Sequence, residues 1–125
     1  ELTAIGRPEW PAVTMVVFRN YQWGAEKRNS TLWFDDNFVG TELDTQVSYA
    51  GIARACGLQG VQARTMEELT AALAKAIDDQ MTHGKTTLIE ALINQELGEP
   101  FRRDAMKKPV AVAGISKADM RPQRA

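Results

Sequence analysis

Val13-Thr14-Met15-Val16-Val17-Phe18-Arg19-Asn20 is the stretch that decides how this chain is read. Val13 to Phe18 is a nearly continuous apolar run rich in β-branched residues. Such a run suits a strand covered on both faces, as in a parallel sheet; a half-exposed strand would alternate apolar and polar positions. Pro11 stands before the run, where a missing N–H does no harm. Asn20 is the first residue past the strand's carboxyl end.

Downstream, periodicity fades from Tyr21 to about Val47, and this segment is expected to be a long loop. Loops of that length inside a compact domain are usually functional. Its aromatics Trp23, Trp33 and Phe34 are costly to expose, so the segment is expected to pack on another surface, such as a second subunit. Order returns in Val47 to Gly57, where Tyr49, Ile52, Ala53 and Cys56 fall at helical spacing and Gly57 suits a C-cap. Gly60 to Arg64 reads as a short strand. Thr65-Met66-Glu67-Glu68 is a capping box. The helix that it opens carries Leu69, Ala72, Leu73, Ala76, Ile77 and Gln80 on one stripe and stops near His83-Gly84. Lys85 to Ile93 is a third strand. Strand, loop, helix, strand, helix, strand predicts an α/β fold: a parallel sheet with right-handed crossovers and flanking helices. Residues 1–94 form that unit. Gln95 to Ala125, holding Pro100, Pro109 and Pro122, reads as an extended C-terminal tail.

The 125 residues bound the chain to one compact domain, long enough to bury roughly two-thirds of its unfolded surface. Fifteen basic against sixteen acidic residues, a net charge of -1, offer no footing for nucleic acid or a membrane surface. No apolar run approaches the ~18–20 residues of a membrane span. A single cysteine, Cys56, makes no internal disulfide and no cysteine zinc site. An oxidising compartment is therefore unneeded, and a cytoplasmic location is expected. The opening Glu1-Leu2-Thr3-Ala4-Ile5 reads like the middle of a helix, which suggests a piece of a longer protein.

Asn20 carries two readings. It starts a turn, or it offers a neutral oxygen to Mg²⁺ where ligands of open α/β sheets gather, beyond the carboxyl ends of the strands. Gly24 lets a backbone approach a ligand or supplies a corner. Lys27 and Arg28 suit a phosphate or sulfonate, or form a solvated loop. Asp35-Asp36 reads as a turn cap rather than an acid/base pair. His83, the lone histidine, falls at a helix end and reads as structural. In the tail, Arg102-Arg103 and Lys107-Lys108 surround Asp104 and suit either an anion or solvent.

The strand ending in Asn20, the Gly three residues beyond Tyr21, the helix Tyr49-Ala50-Gly51-Ile52-Ala53-Arg54-Ala55-Cys56-Gly57, the strand Gly60 to Arg64 and the strand Lys85 to Ile93 together resemble a known domain. It is the second half of the thiamine-diphosphate-binding domain shared by acetolactate synthases, oxalyl-CoA decarboxylases and their relatives. Phe18 to Asn29, Leu32 to Leu43 and the tail from Leu97 to Val110 resemble a branch that forms acetyl phosphate from a sulfonated aldehyde and phosphate. The resemblance implies thiamine diphosphate and Mg²⁺ as cofactors. It places Asn20 and the carbonyl of Gln22 on the metal, and Gln22, Trp23, Gly24 and Ala25 on the diphosphate. It leaves Lys27, Arg28, Arg102 and Arg103 as candidate binders of the anionic small-molecule substrates, and it assigns no catalytic residue.

Two departures stand out. Arg19 replaces the first Asn of the family's Asn-Asn pair, and no Gly-Asp-Gly precedes Asn20, since none of the first nineteen residues is Asp. The family's activating glutamate belongs to a separate domain. The chain alone is therefore expected to be inactive, completed by the rest of a parent chain and a second subunit of a homo-oligomer. A different enzyme of the same family, or a noncatalytic α/β scaffold with an aromatic contact loop, are the competing readings.

Overall fold

Thr87–Leu92 (β3) is where the chain buries itself: all but the last of its residues are buried. It is the middle strand of a three-stranded parallel sheet, flanked by Thr14–Arg19 (β1) and Gln59–Ala63 (β2) in the order β1-β3-β2. The register sets Val16, Ile89 and Val61 side by side, and Val17, Glu90 and Gln62 beside one another on the next rung. The structure is a computed structural model and describes residues 1–95.

The two faces are covered by different helices. Tyr49–Ala55 (α3) packs with Ala53, Leu58 and Leu88, joined by Met15, Val17, Tyr49 and Cys56, while Leu2 of the short opening helix Leu2–Ile5 (α1) reaches the same cluster. Met66–His83 (α4) covers the other face, where Ala63, Ala76 and Ile89 meet Val16, Leu69, Ala72 and Leu73. Burying a side chain such as Ile89 contributes about 1.5–3 kcal/mol. Small residues, Ala53 in one seam and Ala63 and Ala76 in the other, sit among the large ones. At Gly60 the reason is geometric: a Cβ there would lie 2.1 Å from the Ala50 carbonyl oxygen, so α3 sits directly on the backbone of β2.

The helix ends follow the residues. Ser48 Oγ accepts from the Gly51 N–H at 3.0 Å, capping α3. Thr65 Oγ1 accepts from the Glu68 N–H, while Glu68 reaches back to the Arg64 N–H at 2.6 Å. Gly84, at φ 61, ends α4 and donates to the Asp79 carbonyl.

Three expectations change. β1 packs on both faces, Met15 and Val17 towards α3 and Val16 towards α4, but is only half-buried, because among the described residues it is the edge of the sheet, and Phe18 is 66% exposed. The strand buried throughout is β3, because pairing on both sides and a helix on each face coincide there. Second, the expected loop contains a helix, Gly24–Trp33 (α2). Ala25, Glu26, Lys27 and Arg28 favour a helix locally, and Ser30 and Thr31 turn their hydroxyls onto the carbonyls of Glu26 and Lys27. Third, Ile77 of the expected buried stripe is 53% exposed, so α4 meets the sheet through a narrower face.

Candidate functional site

β1 ends at Arg19, and the backbone there reverses tightly. Asn20 is half-buried beyond the strand end, and its Oδ1 accepts from the Gln22 N–H at 3.3 Å. Tyr21 between them takes φ 59, the left-handed region that a bulky side chain adopts only under constraint. The constraint is visible. Residues 41–43 run antiparallel to the turn, with the Leu43 N–H donating to the Tyr21 carbonyl (2.8 Å) and the Trp23 N–H to the Thr41 carbonyl (2.7 Å). From β3, the Ile93 N–H donates to the Arg19 carbonyl at 3.0 Å. The chain then enters α2 at Gly24.

Gln22 is buried at the centre of this turn. Its Nε2 donates to the Gln95 carbonyl at 2.8 Å, and Gln95 Nε2 in turn donates to Glu42 at 3.1 Å. Two buried oxygens nearby in the ladder, Gln22 Oε1 and Thr41 Oγ1, have no hydrogen-bond partner among the described residues. Such groups are expensive to leave unmet. The first turn of α2 is also open: its N-cap, Trp23, makes no side-chain capping bond. Free N–H groups at a helix start attract anions, and Gly24 has no side chain to block them.

The charges beside the turn are engaged. Lys27 pairs with Glu42 and lies 5.3 Å from the Phe38 ring centre. Its hydrogen bond holds the Glu42 carboxyl below the usual range, with Gln95 adding to it and desolvation opposing. Arg28 follows on the same helix. Arg102 and Arg103 lie outside the described residues, as does the tail beyond Gln95. Asp35 and Asp36, at φ 50 and 60, form the left-handed turn that ends α2, in keeping with a turn cap. Cys56 is half-buried against the α3 cluster, and His83 closes α4. Trp23, Trp33 and Phe34 are each about half exposed (55%, 52% and 49%).

Beneath the turn lies a charge cluster that sequence reasoning missed. Glu90, fully buried in β3, receives Arg19 Nη1 at 2.5 Å on one oxygen. On the other it receives the Ala50 N–H, Ser48 Oγ and Gln62 Nε2, each at 3.0 Å. Burial is the largest influence on this carboxyl and raises its pKa. The donors from Ala50, Gln62, Arg19 and Ser48 together outweigh it and hold the pKa at about 2. Arg19 also donates through Nη2 to the carbonyls of Asp44 (3.2 Å) and Thr45 (3.1 Å), and its guanidinium lies over the rings of Tyr21 and Tyr49 at 4.4 and 5.5 Å. The available signal was an Arg closing one apolar strand and a Glu inside another.

Among the described residues no three His, Cys, Asp or Glu side chains gather to hold a metal ion. A cation at Asn20 must therefore draw most of its ligands from a bound anion and from groups elsewhere. The turn has a part for each: an open helix start for such an anion, and the oxygens of Asn20 and Gln22 for a cation or a hydrogen-bond donor, at the carboxyl end of a parallel strand. A cavity of about 390 Å³ lies at the other end of the sheet, lined by Ile5, Gly6, Leu58, Lys85 and Thr86. It shares no residue with the turn. No helix among the described residues is long and apolar enough to cross a membrane.

Residues 1–91 match the family model described as "Thiamine pyrophosphate enzyme, C-terminal TPP binding domain". The chain is 85% identical over 123 residues to a sulfoacetaldehyde acetyltransferase of Rhodobacter capsulatus, and 84% identical over 124 residues to one of Roseovarius nubinhibens. These alignments cover 98% and 99% of this chain, but only 21% and 20% of the relatives. A sulfoacetaldehyde acetyltransferase of Castellaniella defragrans is 54% identical over 98 residues, 78% of this chain and 16% of that protein. The chain thus spans about a fifth of the length of the relatives that it matches most fully.

Proposed function

We propose a function from one premise: the chain belongs to the thiamine pyrophosphate enzymes, as their C-terminal TPP binding domain. On that premise it is the C-terminal part of a sulfoacetaldehyde acetyltransferase, which converts sulfoacetaldehyde and phosphate to acetyl phosphate and sulfite. The observation that carries the proposal is the Asn20–Gly24 turn at the end of β1, in a chain 85% identical to a protein of that name.

Asn20 Oδ1 and the Gln22 carbonyl would hold Mg²⁺, a hard cation that takes a few protein oxygens together with phosphate oxygens. The N–H groups at the start of α2, from Gly24 and Ala25, would meet the diphosphate, with Gln22 and Trp23 beside it. Thiamine diphosphate supplies a nucleophilic carbon that also stores an electron pair, chemistry that no side chain of this chain offers. The chain's own part is to bind and orient. Lys27 and Arg28 stand on α2 next to the turn, and Arg102 and Arg103 in the tail add cationic charge for the sulfonate and phosphate. Lys27 is already paired with Glu42, so it would have to exchange that partner on meeting substrate.

The missing Gly-Asp-Gly and activating glutamate are supplied, in this proposal, by the rest of a longer chain and a second subunit, and the substrates are met there. The test is acetyl phosphate formation by the whole protein from sulfoacetaldehyde and phosphate, with and without thiamine diphosphate and Mg²⁺. Turnover that needs both supports the proposal; turnover that persists after both are stripped, or none with both present, ends it.

A further inference from the structure

Arg19 is buried, adjacent to Asn20, and attached to three separate parts of the chain. One amino group of its guanidinium meets Glu90 in the central strand. The other meets the carbonyls of Asp44 and Thr45, immediately after the segment whose Thr41 carbonyl and Leu43 N–H bind the turn. Its face covers the Tyr21 ring at 4.4 Å. Tyr21 is the residue that must stay left-handed for Asn20 and Gln22 to come together.

Left alone, a tyrosine prefers other backbone regions, and the turn would relax. Arg19 opposes that relaxation from both sides: it anchors the strand end before Tyr21 and the 41–45 segment after it. Glu90 fixes the guanidinium, and Glu90 is itself fixed by Ser48, Ala50 and Gln62. We infer that the buried Arg19–Glu90 pair is a positioning device that holds the left-handed Tyr21 turn, and so presents the oxygens of Asn20 and Gln22 to a divalent cation. The inference rests on the proposed cofactor role of that turn.

A lysine at position 19 would keep a charge for Glu90. It could not also span to Asp44 and Thr45, because a single ammonium has no planar fork. A glycine at position 21 takes a positive φ without strain and needs no support. The two changes therefore test the route as well as the residue. The experiment titrates Mg²⁺ into the whole protein at saturating thiamine diphosphate, reading heat or tryptophan fluorescence, with circular dichroism melts in parallel.

Arg19→Lys is expected to weaken Mg²⁺ binding about tenfold in the native background, but no more than about threefold in a Tyr21→Gly background. A merely structural pair would lower the melting temperature and leave the Mg²⁺ titration where it was, in either background. If the native protein binds Mg²⁺ and Asn20→Ala weakens it, while Arg19→Lys binds as the native protein does, the positioning role is overturned and the cofactor turn stands. Equal losses in both backgrounds also overturn it, since Arg19 would then act otherwise than through Tyr21. If the native protein takes up no Mg²⁺ with the cofactor, the cofactor turn itself falls, and the inference with it. Should Arg19→Lys not fold, Glu90→Gln carries the same measurements, because its oxygen can still accept from the Ala50 N–H while its NH₂ group meets the Arg19 guanidinium donor to donor and breaks that hold.

Discussion

Glu90→Gln replaces the buried carboxylate by an uncharged group of the same shape, the nearest permanent mimic of the protonated acid. The Glu90 pKa is lowered from 4.5 to about 2 in the folded chain. A depressed carboxyl contributes stability that is fully present above the unfolded value and is lost as pH falls through the folded one. Its window therefore runs from about pH 4.5 down to about pH 2. Lowering a carboxyl from 4.5 to about 2 corresponds to about 3 kcal/mol of preference for its ionised form in the folded chain. Glu90 is completely buried, so solvent does not screen this contribution away. The assay is urea unfolding of the 125-residue chain and of Glu90→Gln between pH 7 and pH 2, followed by circular dichroism. At pH 7 the variant is expected to be less stable by about 3 kcal/mol, in line with the cost of uncoupling a buried ion pair. The gap should shrink to under about 1 kcal/mol by pH 2, where the native glutamate is itself about half protonated. Other carboxylates with lowered pKa values, such as Asp79 beside Lys75, titrate equally in both proteins and cancel in the difference. A gap that stays constant with pH, or widens in acid, would refute the assignment of a buried, ionised Glu90 as the hub beneath the turn.

Asn20→Ala in the whole protein is expected to weaken Mg²⁺-dependent thiamine diphosphate binding more than about tenfold with an unchanged melt in the absence of cofactor, because it would delete one of the oxygens proposed to hold the cation; calorimetry checks it. Gly60→Ala should destabilise the chain by about 1–3 kcal/mol in urea, since its Cβ would meet the Ala50 carbonyl at 2.1 Å and α3 must move off β2. The 125-residue chain by itself should form no acetyl phosphate, and sedimentation should show it self-associating through the half-exposed Trp23, Trp33 and Phe34. Truncating the whole protein after Gly98 should lower turnover or raise the apparent constant for phosphate or sulfoacetaldehyde while cofactor binding is kept; unaltered kinetics would make Arg102 and Arg103 spectators.

What could be read from the sequence was what neighbouring residues settle among themselves. The capping box at Thr65 and the stop at Gly84 need only residues a turn apart, and they stand where the pattern placed α4. That a turn follows β1 was legible for a similar reason, since Asn20 to Gly24 is one short run at a strand end. Strand order is not local. β1 looks like a central strand because its residues are apolar, yet β3 holds the centre with Glu90 in it. α2 was illegible for the opposite reason: it forms without an apolar stripe and makes no extensive packing with the sheet among the described residues.

The Arg19–Glu90 pair shows where single-residue reading stops. The partners are 71 positions apart, and each alone suggests something else: an arginine leaving an apolar strand suggests solvent, and a glutamate among Leu, Ile and Ala suggests an exposed edge. Only parallel pairing of β1 with β3 brings both side chains to the same face at the carboxyl end, where the start of α3 adds Ser48 and Ala50. The position of Arg19 also gives a physical reason for the departure from the family's Asn-Asn pair. An asparagine there is too short to reach Glu90 and the Asp44 and Thr45 carbonyls at once, whereas a guanidinium with five donors spans them. The turn in this chain is therefore held from below by a charge pair, and changes at Glu90, far along the chain in the central strand, should be felt at Asn20.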